Sequence, residues 1–175
     1  MSCFGDFGYY LDICMGDFVM FKINIVCTGS LKEKYFISAQ EEYLKRLKKF
    51  CEIKIFEFAE EKLPQNPSAS EIEKALDKEY EKYLPVLKGK LFVCAVEGKE
   101  FSSEEFSCLL KRNLDEVGVV TFLIGSSYGL SNKVKINATL VSFSKMTLPH
   151  HLARIMLEEQ IYRAFSILGK TPYHK

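Results

Sequence analysis

The sequence V-V-T-F-L-I-G-S-S-Y-G, residues 119–129, decides the fold of this chain. Its first six residues are apolar or β-branched and predict a buried strand, and a glycine loop over residues 125–129 follows directly. A second predicted strand, residues 139–144, leads into a loop that ends where a long helix over residues 149–168 begins. In an open α/β sheet, ligands bind in the crevice beyond the carboxyl ends of the strands. The two loops therefore mark the predicted site.

The rest of the chain alternates between strand and helix patterns. Strands are predicted over residues 22–28, 51–58 and 91–96, and helices over residues 32–50, 70–84 and 102–115. The second of these helices is predicted to start at a capping box of Ser70 and Glu73. This alternation predicts an α/β fold with a mostly parallel sheet flanked by helices. A length of 175 residues with 47% hydrophobic content predicts one core and one domain.

The first nineteen residues differ in composition from the rest. They contain three Asp and no Lys or Arg, and the Asp residues interrupt any apolar run that a secretory signal would need. We interpret residues 1–19 as an N-terminal extension, dispensable or the result of a mis-assigned start codon, preceding a domain over residues 20–175. Covering a hydrophobic surface is the alternative role. Met20 stands directly before the first predicted strand.

Positive charge is concentrated late in the chain. The formal net charge is +1, so without the extension it is +4, and residues 133–175 alone carry seven Lys or Arg against two Glu. A positive field near the predicted site would suit a polyanionic substrate such as a nucleic acid. The charge is much weaker than in proteins that bind nucleic acid by charge alone.

The six cysteines show neither a C-x-x-C pair nor a Cys/His metal spacing. They predict free thiols in a reducing cytoplasm and no metal site. Cys27 and Cys94 fall in strand patterns as small apolar residues, with a catalytic thiol as the alternative. No stretch approaches the roughly 20 apolar residues of a membrane span, so no membrane association is expected.

The predicted site also has ordinary structural interpretations. The glycine loop lacks G-x-G-x-x-G and G-K-[ST], which disfavours NAD and ATP, and leaves a simple glycine turn open. In the second loop, Thr147 could cap the helix that Pro149 opens. His150 lies at the helix N-terminus, where the dipole disfavours protonation, so it could accept a proton or be structural. Arg154 could hold a phosphate or be a cation on the helix surface.

Four segments carry a resemblance to a known family: I-G-S-S-Y-G-L-S (124–131), S-F-S-K-M-T-L-P-H (142–150), E-Q-I-Y-R-A-F (159–165) and P-Y-H-K (172–175). Together they resemble the SPOUT methyltransferases that modify ribosomal RNA, and the likeness runs from about Met20 to the end. The resemblance implies a SPOUT α/β fold with a C-terminal trefoil knot. It also implies methylation of N3 of a pseudouridine in 23S ribosomal RNA, with S-adenosylmethionine as methyl donor and no metal.

The resemblance also implies roles for particular residues. The glycine loop would hold the cofactor through Gly125 and Ser126, although the family usually has Gly-Gly there. The second loop would wrap the adenine with its backbone, and Cys94 would form a third wall; the remaining cofactor residues are Ser144, Lys145, Met146, Thr147, Leu148 and Pro149. His150 would accept the N3 proton or polarise the ring of the base. The tail residues Tyr173, His174 and Lys175 would recognise the pseudouridine. Arg154 is added as a candidate phosphate contact from its position one turn into the helix.

The last predicted helix bears on the oligomeric state. Its apolar surface is wider than one core-facing stripe requires, which predicts packing on a second subunit. The resemblance likewise places this helix in a homodimer interface. Two other functions remain open: a SPOUT methyltransferase that acts on tRNA, and a non-catalytic RNA-binding protein of ribosome assembly that has lost cofactor binding.

Overall fold

The computed structural model describes residues 20–171 and Tyr173. The strands in this part are β1 (Lys22–Thr28), β2 (Glu52–Phe58), β3 (Lys90–Glu100), β4 (Val119–Ile124) and β5 (Thr139–Ser142). The helices are α1 (Lys34–Leu47), α2 (Ala69–Tyr83), α3 (Ser103–Val117), α4 (Asn132–Ile136) and α5 (His150–Leu168), with a 3-10 turn at Leu84–Val86. The proposed N-terminal extension, His174 and Lys175 lie outside the described residues.

The strands form one sheet in the order β2-β1-β4-β3-β5, and neighbouring strands are parallel. The predicted α/β fold with a parallel, helix-flanked sheet is therefore confirmed. Because parallel strands share a direction, the carboxyl ends of β1, β4, β3 and β5 lie at one edge. The C-terminal trefoil knot stays a prediction.

Alternate strand residues bury against opposite helix layers, as the two-residue period of a strand requires. Ile25, Phe122 and Phe92 belong to a core that also includes residues of α1, α3 and α5. Val26 and Leu123 point the other way, into a smaller core shared with α2 and α4. Both faces of the sheet are thus covered, which explains why β4 is apolar or β-branched at every position.

Two predicted helix starts are wrong. Helix α2 begins two residues earlier than predicted, with a capping box of Ser68 and Glu71 in place of Ser70 and Glu73. Both pairs have the required spacing, and the earlier one adds hydrogen-bonded residues to the helix. At α5 the N-cap residue is Pro149 and no side chain caps the helix, so Thr147 is not the cap.

Strand β3 extends beyond its predicted end at residue 96. Cys94 and Lys99 both pair with Val141, so the four residues between them leave the ladder as a bulge. Gly98 returns the chain to β5, and a Cβ there would lie 2.7 Å from the backbone of Val141. Only glycine permits this close approach of two backbones. The bulge projects at the carboxyl edge of the sheet.

Candidate functional site

A cleft of about 630 Å³ opens at the carboxyl edge of the sheet. Its size falls in the usual range for small-molecule sites. The cleft lies between the glycine loop after β4, the bulge of β3 and the loop between β5 and α5. Its lining residues are Cys94, Ala95, Val96, Glu97, Ile124, Gly125, Ser126, Ser127, Gly129, Leu130, Lys135, Ser142, Phe143, Ser144, Met146, Thr147, Leu148, Pro149, His150 and Ala153.

The glycine loop is a tight turn with no room for a side chain at its start. A Cβ on Gly125 would lie 2.3 Å from the carbonyl oxygen of Gly129 and 2.5 Å from Cγ of Leu130. The turn closes with the Gly129 N–H donating to the Ser126 carbonyl at 2.9 Å. Ser126, where the resembling family usually has glycine, is buried, with its hydroxyl 3.5 Å from the Gly129 carbonyl. Its Cβ therefore fits within the loop.

The second loop is ordered by its own serines. The Ser142 hydroxyl donates to the Ser144 carbonyl at 2.9 Å, and the Ser144 hydroxyl accepts from the Met146 N–H at 3.0 Å. This turn places the backbone from Ser144 to Pro149 along the cleft. Lys145 is not among the lining residues, whereas its neighbours Ser144 and Met146 are.

The bulge of β3 supplies the third wall. Burial raises the pKa of the Cys94 thiol to about 12, so it is protonated and apolar at neutral pH. Burial raises the pKa of Cys27 to about 12 as well, which makes a catalytic thiol at either position chemically unfavourable. Beyond Cys94, the Glu97 carboxylate accepts from Lys135 Nζ at 2.5 Å across the cleft wall.

His150 lines the cleft at the start of α5. Its ring packs beside that of His151, with centroids 3.8 Å apart, and against the backbone of Gly29. Burial is the largest cause that lowers the pKa of His150, and the nearby His151 lowers it further; the opposing effect of Glu60 and the small lowering by Arg154 are weaker. The imidazole is therefore neutral at physiological pH and has a free base nitrogen available for proton transfer or hydrogen bonding.

Arg154 is neither exposed nor in the cleft lining, so its expected place on the helix surface is wrong. The side chain is 3% exposed, and its guanidinium donates to Glu57 at 2.6 Å and to Gln40 at 3.1 Å. Glu158 lies one turn further along α5 and is fully buried, 3.6 Å from Arg154 Nε. Arg154 thus joins α5 to β2 and α1, and a phosphate contact by Arg154 stays a prediction.

Tyr173 packs on the middle of α5. Its hydroxyl donates to Glu159 at 3.1 Å, and its ring meets Tyr162 edge-on at 4.7 Å between centroids. The guanidinium of Arg163 lies 4.9 Å from the same ring. Because Glu159 is nine residues after His150, this contact lies about 13 Å along the helix from the imidazole. Within one chain, the structure does not bring Tyr173 and His150 together.

Most late basic residues are paired. Lys133 binds Asp77 at 2.6 Å, Lys135 binds Glu97, Arg154 binds Glu57, and Arg163 binds Glu159. The excess of positive charge in the last part of the sequence is therefore largely neutralised by these ion pairs. The charged side chains Glu97 and Lys135 in the cleft lining balance each other.

A family model described as "Predicted SPOUT methyltransferase" matches residues 21–174. The chain belongs to the SPOUT methyltransferase family.

This SPOUT methyltransferase matches curated relatives over nearly the whole length of each relative. A ribosomal RNA large subunit methyltransferase H of Streptococcus uberis is 44% identical over 158 residues, covering 88% of this chain and 99% of the relative. The protein of that name from Lactobacillus helveticus is 48% identical over 158 residues, covering 87% and 99%. A putative one from Methanococcus vannielii is 44% identical over 161 residues, with the same coverage of 87% and 99%.

A solved structure shares the fold. A probable methyltransferase from Bordetella pertussis matches with a TM-score of 0.51 and 16% identity, covering 83% of this chain and 95% of the other. Across residues 20–171, no helix is long and apolar enough to cross a membrane. Among the described residues, no group of three or more His, Cys, Asp or Glu could hold a metal ion.

For this SPOUT methyltransferase, all three walls of the cleft were predicted from the sequence, but the third only at Cys94. Eight of the nine predicted cofactor residues and His150 line the cleft, whereas Lys145, Arg154 and Tyr173 do not. His174 and Lys175 lie outside the described residues. The residues that were missed in the third wall are those of the β3 bulge, Ala95, Val96 and Glu97, with Lys135 beside them. The isolated Gly98 near the end of an apolar run was the available signal for a bulge.

Proposed function

We propose that this protein transfers a methyl group from S-adenosylmethionine to N3 of a pseudouridine in 23S ribosomal RNA of the large subunit. The observation that carries the proposal is the cleft itself, in which a neutral histidine stands at the edge of three converging strand-exit segments. The names of the curated relatives support ribosomal RNA as the substrate class. Relatives that are 44% to 48% identical over nearly their full length are a strong basis for a shared substrate.

The cleft residues fit an adenosyl ligand. Its walls are mostly apolar, from Ile124, Leu130 and Leu148, and backbone loops lie along two sides. Glu97 and Lys135 leave the lining without net charge, which suits an adenosyl sulfonium better than a nucleotide polyphosphate. The residues that would hold the ligand are those of the glycine loop, the loop from Ser144 to Pro149, and Cys94.

Bound S-adenosylmethionine supplies a methyl group already activated for transfer. The protein then has to align that methyl group with N3 of the base and remove the N3 proton. The imidazole of His150 would accept the N3 proton as the base takes up the methyl group. Its lowered pKa keeps the acceptor form populated at neutral pH.

We further propose that the active protein is a homodimer in which the tail contacts the target nucleotide. The wide apolar surface of helix α5 predicted packing on a second subunit. Much of that surface is covered within one chain, because α1 and α3 pack against it. Leu152, Ile155 and Met156 nevertheless remain partly accessible and could face a partner. In a dimer, the tail of the partner could reach the cleft that holds His150, which Tyr173 of the same chain does not reach.

The experiment is methyl transfer from labelled S-adenosylmethionine to large subunits and ribosomes that lack the modification, followed by nucleoside analysis. We expect label on N3 of one pseudouridine in 23S RNA. Transfer to tRNA alone would support the alternative substrate, and failure to bind S-adenosylmethionine would support an assembly factor.

Adjacent histidines provide a matched pair of variants for this assay. His150→Ala should lower transfer at least tenfold with cofactor affinity little changed, because general base catalysis contributes about 10²–10⁴-fold. His151→Ala is the comparison: His151 packs on the His150 ring but is not in the cleft lining, so its loss of activity should be clearly smaller. Equal losses in the two variants would contradict a proton acceptor at His150.

A further inference from the structure

The glycine loop is held from outside by a carboxylate that does not line the cleft. Glu60 Oε1 accepts from the backbone N–H of Ser127 at 3.2 Å and from the Ser127 hydroxyl at 3.0 Å. Ser127 itself lines the cleft, between Ser126 and the turn that closes at Gly129. One oxygen of Glu60 thus fixes both the backbone and the side chain of a loop residue 67 positions away.

The segment that carries Glu60 is fixed in turn by a buried carboxylate beneath it. Glu79 of α2 is 2% exposed, and its Oε1 accepts from the backbone N–H of Glu61 at 2.8 Å. Its Oε2 accepts from the Tyr83 hydroxyl at 3.2 Å, and Tyr83 hydrogen-bonds to Thr28 at the end of β1. A buried carboxylate with several donors is costly to move, so the backbone at Glu61 is firmly placed.

The side chain of Glu61, next to Glu60, does not contact the glycine loop. The carboxylate of Glu61 forms an ion pair with Lys82 of α2, away from the glycine loop. Glu60 and Glu61 have the same charge and lie in the same anchored segment, yet only Glu60 is bonded to the loop. This contrast separates a specific contact from the general effect of negative charge near the site.

We propose that Glu60 is a positioning residue for the cofactor-binding loop, acting through Ser127 and held in place by the anchoring of Glu61 to Glu79. Its bonds preset the loop before the ligand arrives, so less ordering has to occur on binding. Two bonds accepted by one oxygen, from a backbone N–H and from a hydroxyl of the same residue, restrict the loop more than a single bond would. This inference rests on the proposed cofactor site in the same loop.

The test measures calorimetric affinity for S-adenosylhomocysteine, which carries no sulfonium charge. Glu60→Ala removes the acceptor and should weaken binding about two- to tenfold, the usual range for a net hydrogen-bond contribution. Glu60→Gln keeps a carbonyl oxygen that can accept from both Ser127 donors, and should restore affinity to within about twofold of wild type. Glu61→Ala is the matched control and should bind as wild type does.

Each result decides the matter. Rescue by Gln together with an unaffected Glu61→Ala supports positioning. Equal losses of affinity in Glu60→Ala and Glu60→Gln would show that the negative charge of Glu60, and not its hydrogen bonds, supports binding. Unchanged affinity in both variants would show that the contact does not contribute to binding. Either outcome overturns the proposal. If wild-type protein does not bind S-adenosylhomocysteine, the proposed function fails instead, so the two failures are distinguishable. Ser127→Ala, which removes one donor at an exposed position, gives a second measurement and should also weaken binding.

Discussion

The imidazole of His150 packs against Gly29, such that a Cβ on Gly29 would lie 3.0 Å from His150 Nε2. Gly29 directly follows β1 and has a φ of +89°, a conformation that glycine adopts without strain. Its N–H donates to the Phe58 carbonyl at 2.8 Å, which ties it to the end of β2. The exit of β1 therefore sets the position of the proposed proton acceptor.

Gly29→Ala should lower methyl transfer because the added methyl group strains the backbone and displaces the His150 ring. Gly118→Ala is the matched control, since Gly118 also has a positive φ of +69° but a Cβ there would meet nothing within 4 Å. Both variants should lose about 1 kcal/mol of unfolding free energy, measured in urea. Only Gly29→Ala should lose activity, and equal activity losses would remove the His150–Gly29 contact from the mechanism.

Strand positions were predictable where local sequence decides them. The bounds of β1 and β4 agree with the prediction, because each is a short stretch rich in β-branched or apolar residues that a glycine follows directly. The bulge in β3 was not predictable, since it depends on Cys94 and Lys99 both pairing with Val141 on another strand. The register between two strands that are distant in the chain cannot be predicted from the local pattern of apolar and polar residues.

Gly125→Ala should weaken binding of S-adenosylhomocysteine at least tenfold, and Gly125→Val should abolish it. A single Cβ would already lie 2.3 Å from the Gly129 carbonyl, so the turn must open. Gly129→Ala is the comparison, because its φ of +92° is strained but its Cβ position is empty. Calorimetry should rank wild type, Gly129→Ala and Gly125→Ala in falling affinity. Thermal unfolding should show Gly125→Ala still folded, and undiminished binding would exclude this loop from the site.

The environment of Arg154 shows why some site residues could not be placed from sequence. Its partners Glu57 and Gln40 lie 97 and 114 positions away, and both are ordinary residues of a strand and a helix. A cation one turn into an amphipathic helix usually faces solvent. Only the packing of α5 onto α1 and the sheet turns it inward.

Glu158→Gln should change how stability depends on pH. Burial raises the pKa of Glu158 from 4.5 to about 7, so the folded state binds a proton more tightly than the unfolded chain. This group therefore lowers the free energy of unfolding as pH rises from about 4.5 to 7. The amide cannot titrate, and its oxygen can still accept from Gln40, which donates to Glu158 at 2.6 Å.

Urea unfolding at several pH values measures this effect. The advantage of Glu158→Gln over wild type should grow on the order of 2–3 kcal/mol between pH 4.5 and 8. Glu42→Gln, which removes an exposed pair with Arg46, serves as the control, and its curve should run parallel to wild type. Parallel curves for Glu158→Gln would mean that this carboxyl is ionised at neutral pH without cost.

The contacts of Tyr173 with Glu159 and Tyr162 leave two arrangements for a tail that acts at the site. Either the tail leaves α5 and reaches the cleft of its own chain, or it completes the cleft of a partner. The two arrangements predict opposite results when two inactive variants share a dimer. His150→Ala lacks the proposed proton acceptor, and Tyr173→Ala lacks the ring that would stack on the base, a loss of about 1–3 kcal/mol.

Co-expression of His150→Ala and Tyr173→Ala under separate tags gives mixed dimers that can be purified. If His150 and Tyr173 act from different subunits, each mixed dimer contains one intact site, and transfer should return to about half the wild-type rate per dimer. If they act from the same chain, no site has both residues and the mixed dimers should be as inactive as the parents. His150→Ala paired with wild type is the control and should give about half activity in either arrangement. Inactive mixed dimers with an active control would contradict a tail that works in the partner's cleft.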